Sequence, residues 1–252
     1  MAKIAIVTGA TGGIGREFVK QIASGEDLDE IWAVGRNESK LNALSSEFTS
    51  VVPVAADLTS DGVDVIRRLL EQKKPDVKLL INNAGVAYMG LFEDMDNDEI
   101  ARFCKVNCEA PAKLMNAVLP YMHEGGRIIN MSSASSFQPN PYMSMYSASK
   151  IYLKNLSRAV NIELKPRGIT VTSSCPGWVD TDLLPRSKDG KEIHYTGMIS
   201  AERVVSGALK DSAKGKEMSV PGFFSKYFRL YSKFTPTYIV MCMWSKAVRK
   251  YV

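Results

Sequence analysis

Histidine is nearly missing from this chain: 252 residues contain two, His123 and His194. A Ser-His-Asp hydrolase needs an imidazole beside its nucleophile, and a zinc centre draws on clusters of His and Cys. Two isolated histidines suit neither, so no metal site is expected. His123 falls at a predicted helix end, where a contact with the helix dipole suits it. Cysteine is scarce as well: positions 104, 108, 175 and 242 show no metal-ligand spacing and no disulfide framework. Cys104 and Cys108, four apart on a predicted helix, read as small buried thiols. A reducing, cytoplasmic setting fits such usage. Long apolar runs are lacking too. The longest, Tyr238 to Trp244, falls far short of the ~20 residues of a spanning helix. Residues 1–10 reach a Thr-Gly turn after four apolar residues, so no signal-peptide core is expected. Finally, acid is absent from 222–252, which holds six of the chain's 32 bases. The remainder is close to neutral, so the positive charge sits in one segment. A nucleic-acid binder would stripe it over the fold, and none is expected as a partner.

What is present is an ordinary globular composition, 45% hydrophobic and 23% charged, at a length suited to one domain. Short apolar runs alternate with amphipathic stretches. Strands are predicted at 3–8, 31–34, 51–55, 78–81, 127–130 and 169–173, with a short one near 217–220. Helices are predicted from Ile14 through Ile22, near 38–48, at 60–73 up to the stop at Pro75, from the Asp96 cap to about 119, and at 143–165 and 200–211. Residues 181–199 read as polar and irregular. Such alternation gives an α/β fold: a doubly wound, mostly parallel sheet between two helical layers. Residues 1–221 form the domain. Residues 222–252 form a basic, aromatic helical tail with nine of the chain's 22 aromatics, and Pro236 separates two short helices.

The chemistry-bearing motifs sit at strand ends. The first strand ends in Thr8-Gly9-Ala10-Thr11-Gly12-Gly13-Ile14-Gly15. Glycines there let the backbone turn tightly and approach a pyrophosphate at a helix N-terminus. They fit two spacings, Gly9-x3-Gly13-x-Gly15 and Gly9-x2-Gly12-x2-Gly15, so the motif alone does not choose between branches. Gly35-Arg36 closes the second strand. A cation where an NAD site offers an acid points to the 2′-phosphate of NADP(H), with Lys40 near enough to help. Asp57 and Leu58 follow the third strand, placed to accept from an adenine amine and to wall its ring. Asn82-Asn83-Ala84-Gly85 follows the fourth and suits backbone packed against a cofactor. Tyr146 and Lys150 lie four apart on the long helix and share a face. An ammonium beside a phenol lowers its pKa, so this Tyr becomes a proton donor or acceptor near neutral pH. Ser133, thirteen residues earlier, can hold the same substrate oxygen; Ser132 is its rival.

With these pieces the chain resembles the short-chain dehydrogenase/reductases of the compact branch, over residues 3–220. The matching motifs are Thr8-Gly9-x3-Gly13-x-Gly15, Asp57, Asn82-Asn83-Ala84-Gly85, Asn107, Ser133, Tyr146-x3-Lys150 and Pro176-Gly177-x3-Thr181. The resemblance implies a Rossmann fold, with Tyr146 as acid/base and Ser133 positioning the carbonyl or alcohol. Lys150 would bind the nicotinamide ribose and tune Tyr146, and Asn107 would hold a water of a proton relay. Pro176, Gly177, Val179 and Thr181 would line the nicotinamide side. Ser135 to Tyr142, Trp178, Leu183 and Leu184 would border the substrate pocket, and His194 sits in a stretch similar to the family's substrate loop. It also implies a homodimer or homotetramer built on helices such as 97–119 and 143–165.

The expected activity is NADP-dependent hydride transfer between nicotinamide and a carbonyl or secondary alcohol, with a lipid-like or steroid-like substrate among the options. A same-fold epimerase or dehydratase and a cofactor-sensing binding protein are the alternatives. Three readings of 222–252 stay open: a cover over the pocket or a subunit contact, a peripheral contact with an anionic membrane surface, and a helix pair that merely covers the core.

Overall fold

The computed structural model describes residues 1–181, 184, 187–188, 191–193 and 195–249. Six strands arise where the apolar runs predict them: β1 (Lys3–Thr8), β2 (Glu30–Gly35), β3 (Val51–Ala55), β4 (Asp76–Asn82), β5 (Arg127–Met131) and β6 (Thr170–Ser174). Four two-residue strands follow, β7 (Val179–Asp180), β8 (Ser187–Lys188), β9 (Lys191–Glu192) and β10 (Ile199–Ser200). β7 pairs with β10, and β8 with β9. A last short strand, β11 (Met218–Ser219), completes a seven-stranded parallel sheet in the order β11-β6-β5-β4-β1-β2-β3.

The helices are α1 (Gly13–Gly25), α2 (Glu38–Glu47), α3 (Gly62–Lys73), α4 (Asn97–Cys104), α5 (Ala110–Val118), α6 (Ser144–Leu164), α7 (Ala201–Ala213), α8 (Phe223–Phe234) and α9 (Thr237–Val248). Alternation along the strands sorts the core into two. Ala5, Val7, Ile31, Ala33, Leu79 and Ile81 face α1, α2 and α7. Ile4, Ile6, Trp32, Val34 and Leu80 face α3, α5 and α6. Period-two side-chain direction thus makes a sheet buried on both faces, as a doubly wound fold requires. Each fully buried Ile or Leu contributes roughly 1.5–3 kcal/mol.

One element departs from expectation. Instead of an unbroken helix over 96–119, α4 and α5 are joined by a π-helical turn, Lys105–Glu109. The reason lies at Pro111. In a continuous α-helix the Asn107 carbonyl would receive the N–H of residue 111, and proline has none. The chain adopts wider spacing there, with the Ala110 N–H on the Lys105 carbonyl. The turn buries Phe103, Val106 and Asn107 and leaves Cys104 exposed and Cys108 half-buried, which corrects the reading of both thiols as buried. No helix among the described residues is long and apolar enough to cross a membrane.

Candidate active site

The strand order reverses beside β1, between β2 on one side and β4 on the other. A crevice opens at such a point beyond the carboxyl ends of the strands. Thr8 stitches its floor. Its hydroxyl donates to the Ile81 carbonyl (3.2 Å) and accepts from the Asn83 and Ala84 N–H groups (3.0 Å each). Asn83 Nδ2 returns hydrogen bonds to the Thr8 and Gly9 carbonyls (3.0 and 3.3 Å). The Gly-rich turn and the Asn82–Gly85 turn are therefore one unit.

Glycine is obligatory at two places in it. Gly9 has φ +64°, and a Cβ on Gly15 would stand 2.0 Å from the Gly9 carbonyl oxygen. Gly12, beside open space, caps α1 without a side-chain hydrogen bond, and the first turn of α1 holds no acid. An uncapped helix N-terminus with a glycine cradle suits a phosphate. The donor set at the far end agrees: Arg36 is exposed just past β2, and Lys40 lines the crevice. Thr11 packs near Gly35 at this end. The residues present therefore fit a dinucleotide.

The reacting groups converge on the other half. Ser133 caps a 3-10 turn at 134–136, accepting from the Ser135 N–H (3.1 Å), which fixes its hydroxyl. It faces the Tyr146 phenol and favours its ionised form. Ser132 is not equivalent: its hydroxyl donates to the Lys150 carbonyl (2.8 Å) and so is held by α6. Lys150 is 5% exposed; its Nζ lies 5.5 Å from the Tyr146 ring centroid and donates to the Met131 carbonyl (2.8 Å). Burial pulls Lys150 down to about 8, opposed by Cys108 and Cys175. Burial also pushes the Tyr146 phenol up, opposed by the Ser133 hydrogen bond. This corrects the expectation of a phenol already lowered by its lysine: here the lysine is turned to a backbone carbonyl and is itself depressed.

Asn107 sits in the π-helical turn. Its Oδ1 accepts from the Val86 N–H (2.9 Å), and its Nδ2 donates to the Val86 carbonyl (2.9 Å) and to Ser149 Oγ (3.1 Å). The side chain is thus a clamp on the segment after β4, behind the crevice. A Cβ on Gly85 would meet both Asn107 Oδ1 and Lys150 Nζ at 3.4 Å, so the glycine leaves room between turn and lysine.

These groups border one cavity of about 1070 Å³. Of the expected residues it takes in Gly9, Gly12, Gly13, Ile14, Asn83, Ala84 and Gly85 on one side, with Ser133, Tyr146 and Lys150 at its base. Pro176, Gly177, Val179 and Thr181 close it opposite, the Thr181 methyl 3.0 Å from where a Gly13 Cβ would be. Ser135, Asn140, Trp178 and Leu184 border it as expected. Leu183 and His194 lie outside the described residues, and His123 is exposed beyond α5.

Six of the expected cofactor and catalytic residues do not line the cavity: Thr11, Gly15, Arg36, Asp57, Leu58 and Asn107. Gly15 packs under the Gly9 carbonyl and Asn107 clamps Val86, so both support the wall from behind. Asp57 accepts from the Thr59 N–H and hydroxyl (2.8 Å each); that backbone hydrogen bond and the charge of Arg36 hold its carboxyl below the usual range against burial. Leu58 does not wall this cavity; it lines a separate hollow of about 580 Å³ between α3 and α5. Sequence reasoning counted Thr8 in the motif without foreseeing its role as a stitch, and it missed Ser149, whose only signal is a hydroxyl beside a motif.

The roof is the helix pair α8–α9. Phe224, Tyr227, Phe228, Tyr231, Met243 and Trp244 line the cavity. Trp244 stacks on Trp178 (centroids 6.1 Å) and donates from Nε1 to the Pro141 carbonyl (3.0 Å). Tyr231 donates to Met243 Sδ (2.9 Å), tying the two helices together. Of the three readings of this segment, its inner face is a cover over the pocket.

A doubly wound parallel sheet with a glycine cradle at its reversal places the chain among the Rossmann-type α/β proteins. More narrowly, it belongs to the short chain dehydrogenase family, whose model matches residues 3–192. A human relative described as an inactive hydroxysteroid dehydrogenase-like protein 1 is 35% identical over 190 residues, covering 71% of this chain and 56% of the relative. A very-long-chain 3-oxoacyl-CoA reductase of Emericella nidulans is 36% identical over 179 residues, 66% of this chain and 51% of the relative. The chain thus spans little more than half the length of these relatives. A solved short-chain dehydrogenase from Sphingobium yanoikuyae in complex with NADPH is 26% identical with a TM-score of 0.77, covering 92% of this chain and 93% of that one.

Proposed function

We propose that the chain is an NADP-linked reductase that interconverts a bulky, mostly apolar ketone and its secondary alcohol. The carrying observation is that Ser133, Tyr146 and buried Lys150 line one aromatic-walled cavity that also takes in the Gly-rich turn. The bound nicotinamide supplies the hydride. Gly9 to Gly15 and the N-terminus of α1 hold its phosphates, and Arg36 with Lys40 holds a 2′-phosphate. Ser133 orients the substrate oxygen. Tyr146, whose phenol keeps its proton well past neutral pH, donates it as that oxygen becomes alkoxide-like. Lys150 steadies the charge left on Tyr146. The aromatic roof excludes water and favours a large carbonyl.

The NADPH-bound neighbour and the reductase relative support this reading. A second reading, nucleotide binding without turnover, draws support from the human relative's description as inactive. The presence here of Ser133, Tyr146 and Lys150 together favours the enzyme. Titration of NADPH and NADH, followed by oxidation of NADPH against bulky aryl, steroid and acyl-chain ketones, tests it. Preferential NADPH binding with turnover of one ketone class is expected. Tight binding with no turnover of any class would leave the second reading.

A further inference from the structure

The cavity uses only the inner face of the α8–α9 pair. The outer face of α8 carries Phe223, Leu230 and Phe234 at i, i+7 and i+11, all exposed, Phe223 at 84%, while Tyr227 at i+4 stands at the rim, exposed and also lining the cavity. One stripe of a helix is thus apolar and turned to water. Beside it runs a second exposed stripe, Lys226, Arg229 and Lys233. α9 continues the pattern: Tyr238 and Ile239 are exposed, Tyr238 at 76%, with Lys246 and Arg249 exposed near its end. Isolated exposed apolar residues need no explanation, but five on one helix pair that are clear of the cavity and edged by cations do.

Charge decides what covers them. Residues 222–252 hold six bases and no acid. A two-fold contact between copies through this face would set those cations against their own images. An anionic bilayer instead attracts each of them, while aromatic rings sit well at the headgroup level. The helices are short and amphipathic, which suits lying in the interface rather than crossing it.

We propose that the outer face of α8 and α9 is a docking surface for an anionic lipid bilayer, so that the roof of the cavity rests on the membrane. This goes beyond the reductase reading and stands without it. The test is flotation of the full chain with vesicles of phosphatidylcholine alone or with phosphatidylserine, at low and high salt. Binding is expected to phosphatidylserine vesicles and to weaken with salt. Reversing Lys226, Arg229 and Lys233 to Glu should lower partitioning on the order of 100-fold or more. Replacing Phe223, Phe234 and Tyr238 with Ser, none of which lines the cavity, should also abolish it. Both variants should keep the wild-type circular-dichroism spectrum and urea-unfolding midpoint, which shows that they fold and separates this test from those of nucleotide binding and turnover. A folded wild-type chain that ignores phosphatidylserine vesicles would overturn the proposal. So would variants that bind vesicles like wild type, or a dimer that these substitutions split while no vesicle binding is seen.

Discussion

Lys150→Met is the most informative single perturbation. Lys150 is 5% exposed, and burial draws it from 10.5 to about 8. That drop corresponds to about 3 kcal/mol of penalty for holding the ammonium in the folded chain. Below about pH 8 both states carry the proton and the penalty is present in full. Between about 8 and 10.5 the folded chain sheds its proton while the unfolded chain keeps it, so stability rises with pH. Integration gives about 2 kcal/mol gained by the wild type between about pH 7 and pH 9.5. Lys150→Met removes the ammonium and forfeits its hydrogen bond to the Met131 carbonyl, a loss of about 1 kcal/mol.

Urea unfolding without nucleotide, read at both pH values for both proteins, isolates the effect. At neutral pH the variant should be the more stable by about 2 kcal/mol, the balance of those terms. The difference should shrink towards zero at the higher pH, because other titrating groups cancel between the two proteins. The same variant should lose turnover, which would show a lysine retained for chemistry at the expense of stability. A wild-type-minus-variant difference that does not change with pH would refute a depressed Lys150.

Tyr146→Phe should bind NADPH within about twofold of wild type while turnover falls about 10²–10⁴-fold, the range for loss of a general acid; isothermal titration and steady-state rates check both. Because burial holds the phenol above its ordinary value and draws Lys150 down to about 8, the rate of ketone reduction should stay flat through neutral pH and fall above about pH 8, where Lys150 sheds its proton before the phenol ionises. Arg36→Ala should weaken NADPH about 10–100-fold and leave NADH nearly unchanged, as expected for loss of a charge-assisted hydrogen bond. Equal weakening of both would remove Arg36 from the 2′-phosphate. Gly15→Ala forces a Cβ to 2.0 Å from the Gly9 carbonyl oxygen. It should cost several kcal/mol in urea unfolding or abolish nucleotide binding.

How far this layout can be read from sequence varies by element. The six main strands are legible because a sheet covered on both faces demands apolar runs, and runs such as Ile4 to Val7 and Leu79 to Ile81 have few other uses. Ser133, Tyr146 and Lys150 are legible because a thirteen-residue offset and a four-residue helical step put them on facing surfaces. The π-helical turn is not, since a proline inside a helical pattern announces a lost hydrogen bond but not whether the chain breaks, kinks or widens there. The hollow that Leu58 lines is not legible either: a residue just past a strand end has no period to say which side it takes. The polarity of α8 was legible in its spacing. Which of its faces would meet the cavity was not, because Phe224 and Phe228 inside and Phe223 and Phe234 outside are the same residue type.

The claim at the centre of this account is that Tyr146 and Ser133 turn over a bulky carbonyl with hydride from NADPH. It is tested most directly by incubating the protein with NADPH deuterated at the transferable position of its nicotinamide and a panel of bulky ketones, then locating deuterium in the product by mass spectrometry. Deuterium on the carbinol carbon with the wild type, and none above background with Tyr146→Phe, is the predicted result. Tight NADPH binding with no deuterated alcohol from any ketone, or equal labelling by both proteins, would contradict it.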